Sequence, residues 1–302
     1  MILSTTWLYA QESKSDDTFT VVLDAGHGGK DSGNRGNQYY EKHIALNVTL
    51  KIGAILKKYS DINIIYTRKS DVFIPLNKRA DIANTSKADL FVSIHCDAHT
   101  SNAYGAGTFV LGLHENDRNF RIAQKENSVI FLEEDYEKNY DGFDPNNPES
   151  VISLVLMQET YLDQSIQAAN TIQQSFVRNL KRKNRTVKQA GFLVLRNTYM
   201  PSVLVELGFL TNKIEGAYLN SKKGQTEMSQ AIAKAIIAYK NQLQSDLQED
   251  VVFEDNSVDS AEESTTSGYV FRVQISASKT AIEPKSFNFK GFSPIKRVKT
   301  GT

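Results

Sequence analysis

The sequence predicts an α/β protein, a mixed and mostly parallel sheet flanked by helices. Three observations carry this. Short apolar runs recur along the chain and alternate with longer stretches of helical periodicity. Several of the runs are apolar at nearly every position, the pattern of strands covered on both faces. A chain of 302 residues, 40% of them hydrophobic, can also bury a sizeable core.

The elements follow in order. Residues 20–25 read as a buried strand. In 41–59, Ile44, Leu46, Val48, Ile52, Ile55 and Leu56 are apolar, and from Val48 onward the spacing suits an amphipathic helix. Residues 62–68 are a second strand. Pro75 suits the first turn of a helix that "LNKRADIANTSK" continues. "ADLFVSIHC" (88–96) is a third strand and "GAGTFVLGL" a fourth; 190–196 and 201–209 are two more. The helical "EMSQAIAKAIIAYKNQL" closes a domain of about 18–243. Residues of about 114–185 interrupt the alternation with two helical runs around "NYDGFDPNNPES", an inserted segment expected over one face of the sheet.

The flanks read differently. "MILSTTWLYAQES" resembles the end of a secretory signal peptide, so 1–17 is expected to be its remnant. Residues 244–267 form an acidic stretch, expected as a flexible linker, and 268–302 begin strand-like and basic. Lys plus Arg and Asp plus Glu number 35 each, which argues against a general nucleic-acid binder. No segment approaches the roughly 20 apolar residues of a membrane span. The single cysteine, Cys96, rules out an internal disulfide and any multi-cysteine zinc site.

"VVLDAGHGGKDSG" (21–33) joins a strand to a glycine loop, which suits either a phosphate cradle or a metal-binding histidine. Both phosphate templates fail. Asp31 stands where a dinucleotide fingerprint needs its third glycine, and Asp24 and Asp31 occupy the key positions around Gly29-Lys30. A catalytic zinc needs about three N or O ligands on one sheet edge. His27 follows the first strand and His95 ends the third; His43, His99 and His114 lie on helix or loop stretches, where solvation is the simpler account. Glu41 opens a helix near His27, where the helix dipole alone would also favour it. Glu206 ends an apolar strand, a costly place for a carboxylate unless it is functional or paired with an arginine such as Arg196. Cys96 should face away from His95 into the core, because strand residues alternate.

In their order, "VVLDAGHGGKDSGNRG", "EKHIALNV", "YTRKSD", "LNKRADIAN", "ADLFVSIHCDAH" and "MPSVLVELGFLTN" resemble the bacterial zinc-dependent N-acetylmuramoyl-L-alanine amidases, over residues of about 18–243. The likeness is to division-associated members that carry a regulatory insertion. It implies one zinc per chain, with His27, Glu41 and His95 as ligands and Glu206 as the catalytic glutamate. It implies cleavage of the amide between N-acetylmuramic acid and the L-alanine of the stem peptide, for wall remodelling and daughter-cell separation. Zinc would lower the pKa of its water to about 7 and polarise the carbonyl. Asp97 departs from the asparagine common at that position. Asp24 is a candidate partner for the imidazole of His27 or His95, and Asp97 and Arg196 are candidate substrate contacts.

The resemblance further implies autoinhibition by a carboxylate of the insertion: Glu126 first, with Glu133 and Glu134 as alternatives. Val151, Ile152, Leu154, Val155 and Leu156 would dock the insertion or meet a protein activator. The last segment resembles the first strand of a SPOR domain, which binds glycan. A periplasmic monomer acting on peptidoglycan is therefore expected. The alternatives are a wall-binding module that has lost turnover and a zinc carboxypeptidase-like hydrolase.

Overall fold

The computed structural model describes residues 18–113, 116–147, 150 and 159–252, the last seven as helical backbone. Its strands are β1 Phe19–Ala25, β2 Arg35–Gly36, β3 Tyr39–Tyr40, β4 Ile62–Tyr66, β5 Leu90–Asp97, β6 Ala106–Leu111, β7 Asn184–Ala190 and β8 Ser202–Phe209. Its helices are α1 Glu41–Leu56, α2 Leu76–Thr85, α3 Asp117–Asn127, α4 Tyr136–Asn139, α5 Leu162–Leu180, α6 Leu193–Arg196, α7 Lys213–Asn220 and α8 Lys222–Val252. Six strands form one sheet in the order β4-β1-β5-β8-β6-β7, and β2 pairs with β3.

Strand direction decides where the chemistry collects. β4, β1, β5 and β8 run parallel to one another. β6 is antiparallel to β8, and β7 runs parallel to β6. The carboxyl ends of the first four strands therefore share an edge with the amino ends of β6 and β7. That is the mixed, mostly parallel sheet the sequence predicts.

Alternation along the strands sorts side chains between two cores. Leu23, Val92, Ile94, Cys96, Val203 and Val205 face one way, onto Ile44, Val48 and Ile52 of α1, Ile172 and Phe176 of α5, and Ile232 and Ile236 of α8. Val22, Phe91, Phe109 and Leu204 face the other way, onto Leu76 and Ala83 of α2, Ala123 of α3 and Leu193–Leu195 of α6. Cys96 lies fully buried in the first core, turned away from His95 as strand alternation requires.

Three boundaries differ from the sequence expectations. α1, by contrast, begins at Glu41, where the sequence opens it; its buried first turn carries that carboxylate, which is why the apolar period shows only from Val48 onward. The strand expected at 190–196 is instead β7, Asn184–Ala190, and Leu193–Arg196 is a short helix. β7 is an edge strand, so its sequence is polar, while a short apolar run such as "FLVLR" fits a buried helix as well as a strand. α5, inside the stretch expected as an insertion, packs Ala168, Ala169, Ile172 and Phe176 into the first core. The final helix continues to Val252, through the first residues of the stretch expected as a linker.

Residues 117–147 lie against the second core, with Ala123, Val129, Ile130, Tyr140 and Phe143 in the apolar cluster. Hydrogen bonds fasten them. The side chain of Asn127 donates to the Gly191 carbonyl at 2.7 Å and accepts from the Leu193 amide at 2.9 Å. Glu133 accepts from the Tyr140 hydroxyl and from the Leu76 amide at the start of α2. Among the described residues no helix is long and apolar enough to cross a membrane. The signal-like N-terminus, His114, the apolar stretch 151–156, the acidic stretch beyond 252 and the SPOR-like segment lie outside the described residues.

Candidate metal centre

The shared edge brings together His27, Glu41, His95 and Glu126, each buried, with one donor atom apiece within 4.8 Å of all the others. His27 follows β1 in a left-handed turn, at φ 60°. Two glycines allow its approach: a Cβ on Gly26 would stand 2.5 Å from the His95 ring, and one on Gly33 would stand 2.6 Å from the His27 ring. His95 comes from β5 and Glu41 from the first residue of α1, while Glu126 comes from the end of α3.

The donors converge, and His95 Nδ1 with Glu41 Oε1 is the one pair among them at hydrogen-bond geometry. His27 Nε2 lies 3.1 Å from Glu41 Oε1 and 2.9 Å from Glu126 Oε2. His95 Nδ1 lies 3.1 Å from each of the same two oxygens. Yet His27 Nε2 and Glu126 Oε2 are buried without a hydrogen bond. Atoms that close, aimed past one another, suit a common cation. With ligand bonds of about 2.0–2.1 Å, neighbouring donors in a tetrahedral zinc shell stand about 3.3 Å apart, close to the distances here. The residue types and spacing fit zinc.

Each candidate ligand is held from behind. Asp31 Oδ2 lies 2.6 Å from His27 Nδ1, which leaves Nε2 to face the centre. Ser93 Oγ lies 3.0 Å from His95 Nε2 and donates to Asp24 at 2.5 Å. Glu41 accepts from the Cys96 amide through Oε1 and from the Asn34 amide through Oε2, both at 2.7 Å. Asp24 therefore reaches His95 only through Ser93 and does not touch either imidazole, because Thr67, Arg79 and Ser93 occupy its oxygens. Asp31, counted in the sequence only against phosphate, is the partner of His27. An aspartate four residues after a loop histidine was the signal for it.

Arg79 anchors the edge. Its buried guanidinium pairs with Asp24 at 2.8 Å and donates to the carbonyls of Ala25 and His27. Removing one partner of a buried pair costs about 3–5 kcal/mol. Arg79→Met is expected to lower unfolding stability by that order in denaturant melts and to weaken metal retention, since the backbone that presents His27 loses its brace.

The electrostatics match a cation site. Burial opposes protonation of His27, but Glu41, Glu126 and Asp31 outweigh it and raise its pKa well above the ordinary value. Burial opposes it likewise for His95, and Glu126 and Glu41 push that imidazole up to about 9. Glu41 stays ionised despite burial, its pKa pulled far down by His27 and His95. Positive charge is thus strongly favoured at the point where these side chains meet.

Glu206 stands beside them. β8 pairs it with His95 on one side, and it pairs with Gly107 of β6 on the other. It is fully buried, and neither oxygen has a hydrogen-bond partner. Burial raises its pKa well above the usual carboxylate range, helped by Asp97, Glu126 and Glu41 and opposed by Arg185. The alternative pairing with Arg196 is not made; Arg196 lies on α6 and reaches Asp141 at 3.3 Å. Asp97 pairs instead with Arg185, at 2.7 Å. Glu133 lies at α2, and Glu134 is exposed. Arg185 and Ser93 escaped the sequence reading.

Comparison with known proteins agrees with this geometry. The family model described as N-acetylmuramoyl-L-alanine amidase matches residues 21–238. The N-acetylmuramoyl-L-alanine amidase AmiA of Salmonella typhimurium is 34% identical over 72% of this chain and 75% of its own length. The crystal structure of an N-acetylmuramoyl-L-alanine amidase from Clostridium difficile 630 superposes with a TM-score of 0.57 at 27% identity, over 74% of this chain and 98% of that one. AmiC2 of Nostoc punctiforme gives 0.55 at 27% identity, over 73% and 96%.

Proposed function

The chain belongs to the N-acetylmuramoyl-L-alanine amidase family, and on that premise we propose that it hydrolyses the amide between N-acetylmuramic acid and L-alanine in peptidoglycan, using one zinc ion. His27, Glu41 and His95 hold the metal. The observation that carries this reading is their convergence beside a fully buried, unbonded Glu206.

Zinc in that set supplies Lewis acidity to the attacking water and to the scissile carbonyl. Glu206 moves the proton. Fully buried beside His95 and free of other hydrogen bonds, it would take one from the attacking water and return it to the departing L-alanyl nitrogen. Arg79 and Asp31 fix His27, and Ser93 fixes His95, so the ligand atoms stay aimed at one point.

The centre as it stands is closed. With zinc bound by His27, Glu41 and His95, Glu126 would fill the position a catalytic zinc keeps open, and His27, Glu41, His95, Glu126 and Glu206 are all buried. The segment bearing α3 is accordingly autoinhibitory and must lift before glycan enters. Asn127 and Glu133 are its fasteners, each giving up hydrogen bonds when it does. Asn127→Ala is expected to raise basal turnover about three- to tenfold, the worth of a net hydrogen bond, read as dye release from labelled peptidoglycan.

The remaining features follow from the substrate. Peptidoglycan lies outside the cytoplasmic membrane, so the enzyme would work in the cell envelope, as a periplasmic protein does. It serves wall remodelling and daughter-cell separation. A protein activator that binds the inhibitory segment would supply the opening energy, and the C-terminal segment 268–302 would add a second grip on glycan. Zinc-loaded full-length protein should solubilise labelled peptidoglycan, and chelation should abolish this. Chelator-resistant solubilisation, or none from zinc-loaded Glu126→Ala, would sink the reading.

A further inference from the structure

A row of side chains crosses the sheet on the face that carries the site. His95 pairs with Glu206, and Glu206 with Gly107. β7 slips in register against β6 between Ala106 and Thr108, which sets Arg185 next to Gly107. Thr186, at φ 63°, holds that irregularity in a backbone conformation costly for a β-branched residue. Such irregularities re-aim side chains. Here Arg185 is turned inward. A Cβ on Gly107 would lie 3.4 Å from Arg185 Cβ and 3.7 Å from its guanidinium carbon, so the guanidinium lies across the bare glycine.

Arg185 is incompletely satisfied. Its side chain is 6% exposed, and Nη2 donates to Asp97 at 2.7 Å. Its guanidinium carbon sits 4.3 Å from the centre of the Phe209 ring. Nε and Nη1 have no hydrogen-bond partner, and neither has either oxygen of Glu206. Buried polar groups in folded proteins are almost always paired. The bond to Asp97 uses one nitrogen only, which leaves two nitrogens of Arg185 and both oxygens of Glu206 open on the same face of the sheet.

We propose that Arg185 is a substrate-binding residue that donates from Nε and Nη1 to a peptide carbonyl of the stem peptide just beyond the scissile amide. The proposal rests on the amidase reading and names the recognition element on the peptide side of the bond. Charge selects a carbonyl over a carboxylate. Asp97 already offsets the guanidinium, and the ionised Glu41 would repel an incoming anion, whereas a neutral carbonyl meets only open donors. In the strand order Arg185 of β7 and His27 after β1 lie on opposite sides of Glu206, so Arg185 would meet the substrate from the side away from His27.

The test uses zinc-loaded full-length protein carrying Glu126→Ala and two substrates. N-acetylmuramoyl-L-alanyl-D-isoglutamine has the peptide carbonyls; N-acetylmuramoyl ethylamide has the same scissile amide and lacks them. Arg185→Gln is expected to lower kcat/KM on the first by about 10- to 100-fold, mainly through KM, the loss of charge-assisted hydrogen bonds. On the ethylamide the change should stay under about threefold, with zinc content unaltered and part of the loss restored in Arg185→Lys. Equal losses on both substrates, or none on either, would overturn the proposal. Should Arg185→Gln fail to fold, Arg185→Lys carries the comparison. If the parent cleaves neither substrate, the amidase reading fails. Calorimetric binding of L-alanyl-D-isoglutamine then decides on Arg185: weaker binding by Arg185→Gln supports it, equal binding refutes it.

Discussion

Glu206→Gln is expected to keep its zinc and its fold and to lose about 10²- to 10⁴-fold in turnover, the usual worth of a general acid–base group. The substitution is close to isosteric. It removes a carboxylate that is fully buried and makes no hydrogen bond, so no structural bond is lost. Desolvation even predicts a small gain in stability, because a buried ionisable group without a partner is a liability. Such a combination, an activity loss with unchanged or higher melting temperature and full metal content, separates a proton-transfer role from a packing role. Turnover within about threefold of the parent would remove Glu206 from the chemistry.

Glu126→Ala should act in the opposite direction, raising basal turnover about 10- to 100-fold. Its Oε2 lies within 3.1 Å of nitrogen atoms on both histidines, and its pKa is lowered although burial and Glu41 oppose ionisation. An ionised carboxylate held against a buried cation centre is attracted by charge rather than by a hydrogen bond, on the order of 1.5–3 kcal/mol by analogy with bonds to charged groups, and that energy sets the ratio of closed to open segment. Deleting it shifts the population by the corresponding factor. Glu41 remains to balance the metal, so zinc stoichiometry should hold. Glu134→Ala, at an exposed position of the same segment, should leave turnover unchanged. Glu126→Ala with unaltered basal rate at full zinc occupancy would contradict the closed-site account.

Legibility in the sequence followed from how local each signal is. The strands β1, β5 and β8 are apolar because both faces are covered, and the histidines at or just after two of them stood out for that reason. Strand direction is not local. Nothing in "NRTVKQA" tells that β7 begins at the metal edge, so Arg185 was invisible and a neighbouring apolar run took its place as a strand. Glu126, Glu133 and Glu134 look alike in sequence; only the path of α3 brings the first to the histidines and the second to the start of α2. Asp31 is legible from its spacing, four residues after His27 in the same loop. Ser93 offers no signal at all, being a small polar residue inside an apolar strand whose partners come from β1.

The most direct measurement identifies the bond that is cut. Purified peptidoglycan digested by zinc-loaded full-length Glu126→Ala should yield free stem peptides with new L-alanine amino termini, together with glycan whose muramic acid lactyl groups are unsubstituted, by mass spectrometry. New termini within the stem peptide or its cross-bridges, with the lactyl–L-alanine amide intact, would contradict the assignment.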